Sequence, residues 1–156
     1  WMFNLSDGGG ALFGSASYTI EFISYLFNTL NYKYNGSFVA SPYEADDIVN
    51  FHLLFDDVMV SSTISMNLTL KNEAVFYGSK GYITVPNYWK SSGLTITYPD
   101  HEEKYEFPYT SEFKYEVDHI NECIKQGFLQ SPIMDEEKTY TTVKIVDELY
   151  KLYQKQ

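Results

Sequence analysis

A two-residue alternation of apolar and polar side chains between Val58 and Leu70 is the feature that most constrains the fold. Side chains of a β-strand point to opposite faces in turn, so the pattern predicts a strand with one buried face and one face rich in Ser and Thr. Only Ser62 interrupts the apolar row, and only Met59 interrupts the polar row. The apolar row is Val58, Val60, Ile64, Met66, Leu68 and Leu70, and the polar row is Ser61, Thr63, Ser65, Asn67 and Thr69.

Further strands are predicted on both sides of this segment. Asp56-Asp57 is typical of a tight turn, and Gly78-Ser79-Lys80-Gly81 favours a hairpin with glycine where the turn needs it. Because such short turns join antiparallel neighbours, the sheet should be mainly antiparallel. These other predicted strands cover residues 32–40, 48–55, 74–77, 82–85, 94–98 and 104–107.

A strong helical pattern directly follows Gly8-Gly9-Gly10. Apolar residues recur at the spacing of a helical turn, and a second apolar stripe lies on roughly the opposite side. A helix that is apolar on two sides needs two neighbours. One should be the sheet, and we expect the other to lie outside this sequence. The first stripe is Leu12, Ala16, Ile20, Ile23 and Phe27, and the second is Tyr18, Phe22 and Tyr25.

Two more helices are predicted after the strands. Ser111 should cap the first and Gly127 should end it, and Asp135 should cap the second. The order of helix, strands and two helices predicts an α+β fold, an open-faced, mainly antiparallel β-sheet with helices packed on one face. The expected core stripes are Phe113, Val117, Ile120, Ile124 and Phe128 in the first helix, and Ile145, Leu149 and Leu152 in the second.

Composition excludes several classes of function. The 156 residues carry a formal net charge of -10, with eleven Lys and no Arg, so binding to nucleic acid or to an anionic membrane surface is not expected. Without Arg the bidentate clamp for anionic ligands is missing, which favours a neutral substrate. Cys123 is the single cysteine, so no internal disulfide can form. No apolar run reaches bilayer length and no signal peptide opens the chain, so we expect a cytoplasmic protein.

Five groups of residues, in this order and spacing, resemble one oxidoreductase family over essentially the whole chain. They are Gly9-Gly10-Ala11-Leu12 with Tyr18 following; Phe76-Tyr77-Gly78-Ser79-Lys80-Gly81-Tyr82-Ile83-Thr84-Val85-Pro86 with Tyr88-Trp89; Tyr115-Glu116-Val117-Asp118-His119-Ile120 with Glu122-Cys123-Ile124 and Gly127; Ser131-Pro132-Ile133-Met134; and Ile145-Val146-Asp147-Glu148-Leu149. The chain resembles the C-terminal domain of the Gfo/Idh/MocA oxidoreductases, and the dihydrodiol dehydrogenase branch is the most similar.

The resemblance implies that residues 1–156 form a single C-terminal substrate and oligomerisation domain. An N-terminal Rossmann domain outside this sequence would hold NAD or NADP, and no metal would be needed. The full protein would interconvert a hydroxyl and a carbonyl on a sugar, polyol or dihydrodiol. Family members commonly use the open sheet face as a subunit interface, so the resemblance implies a homodimer. A solvated Ser- and Thr-rich face is an equally good interpretation of that surface.

The resemblance also implies a catalytic residue. Family members carry an Asp and, four residues later on one helix face, a His or Tyr that exchanges a proton with the substrate hydroxyl. Tyr18 occupies the His/Tyr position, Gly14 stands where the Asp is expected, and Ala16 replaces a frequent Gly. A phenol ionises near pH 10 and needs a nearby cation to act as a base. The family's Glu-Lys-Pro lysine belongs to the other domain. Tyr18 could equally be a packed aromatic at a domain interface.

Two aromatic residues are candidates for substrate binding. Tyr88 and Trp89 could wall a sugar pocket, and packing within a loop is the alternative. His119 is interpreted as structural, and three scattered His with one Cys do not suggest a metal site. Because Gly14 lacks the carboxylate, a non-catalytic dimerising binding or regulatory module of the same fold is the second hypothesis. An unrelated α+β ligand-binding domain is the third.

Overall fold

The computed structural model describes residues 1–107 and 111–155. By its internal contacts the chain divides into two compact units, one of Trp1–Thr69 with Gln130–Gln156 and one of Leu70–Leu129. Helices and antiparallel strands are both present, which confirms the predicted α+β class. No helix in the described ranges has the length and apolar character that crossing a membrane requires.

The helices and strands are numbered in chain order. They are α1 (Ala11–Phe27), β1 (Lys33–Ala40), β2 (Asp46–Phe55), β3 (Val58–Ser65), β4 (Glu73–Gly78), β5 (Gly81–Pro86), β6 (Gly93–Thr97), β7 (Glu102–Glu106), α2 (Glu112–Lys125) and α3 (Glu136–Tyr153). Leu5–Asp7 and Tyr88–Lys90 form short 3-10 helices.

The first unit is a three-stranded sheet in the order β1-β2-β3, with α1 and α3 packed against it and against each other. β2 and β3 join through the predicted turn, where Asp56 adopts a φ of 46°. Alternate residues of β2 are fully buried, and Asn50 on the opposite face hydrogen-bonds Thr63 of β3 at 2.7 Å. The sheet therefore has one face covered by helices and one open polar face. The core includes Leu12, Ile20, Val49, Phe51, Leu53, Ile145 and Leu149.

The long alternation ends earlier than predicted. β3 stops at Ser65, whose hydroxyl accepts hydrogen bonds from the amides of Asn67 (3.2 Å) and Leu68 (3.0 Å). These amides are thereby satisfied locally and turn the backbone out of the ladder. Leu68 and Leu70, predicted to be buried, are exposed.

The second unit contains a four-stranded antiparallel meander in the order β4-β5-β6-β7. The predicted hairpin is confirmed, because Gly78 pairs with Gly81 across Ser79-Lys80. Gly81 has a φ of 157°, and a Cβ there would collide with the carbonyl oxygen of Thr97. The β6–β7 pairing is also confirmed.

The predicted core stripe of α2 is wrong. No residue of α2 is buried, and the five predicted residues are between 49% and 69% exposed. The pattern is amphipathic as expected, but the second unit does not cover it. Gly127 ends the helix as predicted, with a φ of 71° and its amide bonded to Ile124. Ser111 is at the N-cap position, although its side chain makes no capping bond.

The cap and core stripe of α3 are largely confirmed. The Asp135 side chain accepts the Lys138 amide at 2.9 Å, which caps the helix. Ile145 and Leu149 are buried, and Leu152 packs beside them with partial exposure.

Candidate functional site

The start of α1 is held by a carboxylate from a distant part of the chain. Gly10 is the N-cap residue and has no side chain to accept a helix amide. Asp46, the first residue of β2, supplies the acceptor, because its Oδ2 lies 2.7 Å from the Leu12 amide. The Asp46 side chain is fully buried, and burial raises the pKa of its carboxyl above the ordinary value although the Leu12 hydrogen bond opposes this. Asp46 thus orients the helix that carries Tyr18.

The glycines before α1 allow close backbone approach. A Cβ on Gly9 would lie 2.5 Å from the carbonyl oxygens of Trp1 and Met2, and a Cβ on Gly10 would collide with Asp46. The Gly10 amide donates to Met2 at 2.8 Å. A dinucleotide pyrophosphate needs free amides at a helix N-terminus. Here a carboxylate and a backbone carbonyl already take that place, so this glycine run does not fit the pyrophosphate of NAD or NADP.

The two predicted faces of α1 are both present. The stripe facing the sheet is buried except for Phe27, which is 41% exposed and packs edge-on against Phe55 at 5.2 Å between ring centroids. The opposite stripe is exposed at Tyr18 (59%) and Tyr25 (57%). Phe22 of the same predicted stripe is partly buried and packs against the core, so the exposed second face, here called the outward face, consists of Tyr18 and Tyr25.

Tyr18 lies on the outward face with open space on one side. Gly14 is one turn before it, and a Cβ built at Gly14 would find no atom within 4 Å. Residues four apart lie on one face of a helix, so an Asp at position 14 would stand beside Tyr18. The structure therefore leaves room for the carboxylate that this sequence lacks.

Glu21 is a feature of the same face that the sequence analysis missed. It is the only charged residue of α1, a signal that was readable in the sequence. Its side chain is half-buried, and burial raises the pKa of its carboxyl. It follows Tyr18 by three residues, which makes the two side chains neighbours on the helix surface.

Tyr88 and Trp89 lie in the second unit, in the 3-10 helix between β5 and β6, whereas Tyr18 lies in the first unit. Their rings meet edge-to-face with centroids 5.6 Å apart, and Trp89 remains 42% exposed. The Lys90 ammonium lies 5.7 Å from the centre of the Trp89 ring, at the distance of a cation–π contact. Asn87 adopts a φ of 46° and turns the chain into this segment.

Cys123, His101 and His119 make contacts within the second unit. Cys123 Sγ lies 3.5 Å from Nε2 of His119 on α2. His101 stacks on Tyr98 and bonds Asp100 at 2.9 Å in the exposed β6–β7 turn. Within residues 1–107 and 111–155, no three His, Cys, Asp or Glu side chains come together as a metal site would require.

Comparison with known proteins identifies the family. Residues 1–84, more than half of the chain, match the family described as GFO/IDH/MocA C-terminal domain. Trans-1,2-dihydrobenzene-1,2-diol dehydrogenase of Xenopus tropicalis is 27% identical over 158 residues, covering 90% of this chain and 46% of that protein. The human enzyme of the same name is 27% identical and is matched over 94% of this chain and 47% of its own length. The chain thus spans about half the length of the curated relatives it matches.

Solved structures show the same fold. Aldose-aldose oxidoreductase from Caulobacter crescentus superposes with a TM-score of 0.78 at 21% identity, over 95% of this chain and 46% of that one. The 3-ketoreductase KijD10 from Actinomadura kijaniata, solved with NADP, gives a TM-score of 0.76 at 19% identity, over 91% and 47% of the two chains. With the sequence match over residues 1–84, these findings show that the chain belongs to the GFO/IDH/MocA family, as a C-terminal domain.

Proposed function

We propose that this chain is the substrate-side half of an NAD(P)-dependent oxidoreductase that interconverts a hydroxyl and a carbonyl on a sugar, polyol or dihydrodiol. The observation that carries the proposal is the exposed Tyr18 on the outward face of α1, in a chain whose family and curated relatives are oxidoreductases. A Tyr sealed in the core of the first unit could not reach a substrate.

Tyr18 exchanges the proton in this proposal. In the oxidative direction its phenolate oxygen takes the proton of the substrate hydroxyl, and in the reductive direction its hydroxyl returns a proton to the carbonyl oxygen. A nicotinamide bound by the other domain would supply or accept the hydride. α1 carries no Lys or His, so the cation that stabilises the phenolate must come from outside this helix. A lysine of the nucleotide-binding domain would fill that role.

The cofactor and the domain that holds it are part of the same proposal. In the proposal an N-terminal Rossmann domain holds NAD or NADP, and the amides of Gly10 and Leu12, already bonded to Met2 and Asp46, take no part in binding it. The outward face of α1, with Tyr18 and Tyr25, is the surface that packs against it. An apolar helix face with so few charges is unfavourable in water and favours such a neighbour.

Tyr88 and Trp89 serve in the proposal as an aromatic surface of the second unit that binds a sugar or polyol. Trp89 keeps nearly half of its side chain exposed, with the Tyr88 ring set edge-on against it. An exposed aromatic face can pack on the C–H face of a sugar or polyol. A Trp89→Ala change in the full-length protein should then raise KM more than it lowers kcat.

We further propose that the protein is a cytoplasmic homodimer that joins through the open face of β1-β2-β3. Asn50 and Thr63 lie near the middle of this face and bond each other. A Thr63→Lys change would place a like charge on both copies, so sedimentation should show a shift toward monomer. A wild-type protein that sediments as a clean monomer at high concentration would remove the dimer proposal. Neither nucleic acid nor a membrane is a partner in this proposal.

A non-catalytic dimerising module is the second candidate, and Gly14 in place of the family carboxylate favours it. The two are separated by assaying NAD(P)H oxidation and NAD(P)+ reduction with the full-length protein on sugars, polyols and dihydrodiols. Turnover that Tyr18→Phe lowers by about 100-fold or more supports the enzyme and its proton donor. Full turnover in Tyr18→Phe would end the Tyr18 assignment, and no turnover on any of these substrates would favour the module.

A further inference from the structure

Glu21 is a charged residue on a helix that otherwise avoids charge. Every other residue of α1 is uncharged, and Glu21 lies on the same side of the helix as Gly14, Tyr18 and Tyr25. Solvated helix faces usually carry several charged side chains. A single carboxylate among aromatic side chains therefore indicates a specific role for the charge.

The carboxylate lies on the same side of Tyr18 as the empty position of Gly14. With about 100° per residue, Gly14 is about 40° and Glu21 about 60° from Tyr18 around the helix axis, in the same direction. Gly14 is one turn before Tyr18, and Glu21 is nearly one turn after it. Position 14 thus lacks a negative charge one turn before Tyr18, whereas Glu21 provides one about one turn after it.

The Glu21 carboxylate is partly withdrawn from water without a protein partner. Its side chain is half-buried, and within the described ranges it takes part in no hydrogen bond or ion pair. Partial burial of a charge is unfavourable unless hydrogen-bond donors compensate it. Burial accordingly raises the pKa of the carboxyl. Neither oxygen of this carboxylate is fully enclosed, so water solvates it in the free chain, and the hydroxyl donors of a bound molecule can replace that water.

A carboxylate has two oxygens that only accept hydrogen bonds, and a hydroxyl is a neutral donor. We propose that Glu21 is a specificity-determining residue that accepts hydrogen bonds from the substrate hydroxyl next to the one that reacts at Tyr18, and so selects vicinal diols. This inference rests on the proposed function of Tyr18. It adds the residue that recognises the second hydroxyl, a role that the sequence analysis gave to no side chain.

The test compares matched substrates in the full-length protein. Glu21→Gln should raise KM for trans-1,2-cyclohexanediol about tenfold, because a charged acceptor is lost, while kcat stays within about threefold. Glu21→Gln also removes a charge beside Tyr18, so both substrates should share any change in kcat, whereas the KM for cyclohexanol, which has no second hydroxyl, should stay within about threefold. Glu21→Asp keeps the charge and should recover part of the loss. Asp57→Asn in the exposed β2–β3 turn is the matched control and should leave both substrates unaffected.

Each outcome decides the inference. An unchanged diol KM in Glu21→Gln, with normal turnover, overturns the role of Glu21 and leaves the proposed function intact. If the wild type shows no turnover, diol affinity is measured by calorimetry. In that case the proposed catalysis falls. A tenfold weaker affinity in Glu21→Gln still supports the role of Glu21, and equal affinity overturns it as well. A wild type that binds no diol overturns both. Melting temperatures of all variants show whether a loss comes from unfolding.

Discussion

Oδ2 of Asp46 accepts a hydrogen bond from the Leu12 amide at 2.7 Å, although the two residues are 34 positions apart in the chain. A strand residue thereby performs the capping that the helix's own first residue, Gly10, cannot provide. The contact joins the first helix to the central strand of its sheet, so the placement of Tyr18 depends on a buried carboxylate that takes no part in chemistry.

This buried carboxylate should make stability depend on pH. Burial raises the pKa of Asp46 above its ordinary value of 3.8, so the folded state binds this proton more tightly than the unfolded state. Its contribution is fully present below pH 3.8 and is lost as the pH rises through the raised pKa. Asp46→Asn keeps an acceptor for Leu12 and has no proton to lose. In urea titrations, the unfolding free energy of the wild type minus that of Asp46→Asn should fall as the pH rises from 3.8 through the raised pKa of Asp46. A difference that does not change with pH would contradict this prediction.

Asp135 should show the opposite dependence. Hydrogen bonds from the Lys138 amide and ammonium lower the pKa of the Asp135 carboxyl. Its contribution to stability is therefore present above its ordinary pKa of 3.8 and is lost as the pH falls through the lowered value. Asp135→Asn should have a lower free energy of unfolding than the wild type near neutral pH, and this difference should disappear as the pH is lowered. Urea titrations at several pH values measure this difference. A difference that grows as the pH is lowered would contradict the capping of α3 by ionised Asp135.

Gly10 and Gly14 should respond in opposite directions to the same change. Gly10 has a φ of 123°, and an added Cβ would collide with Asp46, whereas Gly14 lies in open space within the helix. Gly10→Ala should therefore lower the unfolding free energy by roughly 1–3 kcal/mol. Gly14→Ala should raise it by about 1 kcal/mol, because Ala loses less backbone entropy in a helix. Chemical denaturation measures both changes. Equal changes in unfolding free energy for Gly10→Ala and Gly14→Ala would show that Asp46 moves away from the added methyl group at position 10.

Restoring the missing carboxylate should change the pH profile of the enzyme. Gly14→Asp would place a negative charge beside Tyr18, where the structure has space for it. A nearby negative charge disfavours a phenolate, so kcat/KM for alcohol oxidation should rise at higher pH than in the wild type. Gly14→Asn has the same size without the charge and should show the wild-type profile. Identical profiles for Gly14→Asp and the wild type would place Tyr18 outside the proton transfer.

Local patterns predicted most of the elements because their causes are local. Alternation at Val58 to Ile64, the turn at Asp56 and the cap at Asp135 each depend on residues close in sequence, and all three are confirmed. The early end of β3 was missed because the Ser65 hydroxyl competes with the ladder for two amides, an outcome that hydrophobic periodicity does not encode.

Features that depend on distant or absent neighbours could not be predicted in the same way. The role of Asp46 depends on a helix 34 residues away. The apolar stripe of α2 has the same pattern as the stripe of a buried helix. It is exposed because no described part of the second unit covers it, and the pattern alone does not reveal this. Within the candidate site, the position and exposure of Tyr18 followed from the resemblance and from helical periodicity, whereas Glu21 belongs to neither apolar stripe of the helix and carries no periodic signal.

The crowding between Gly10 and Asp46 has an evolutionary consequence. An added methyl group at position 10 has no room while the Asp46 side chain is present, and a residue without a side-chain oxygen at position 46 would remove the acceptor of the helix amide. The two sites can therefore drift only as a pair. A library that randomises both codons and is selected for folded protein should return glycine almost exclusively with aspartate or asparagine, while codon 14 diversifies freely.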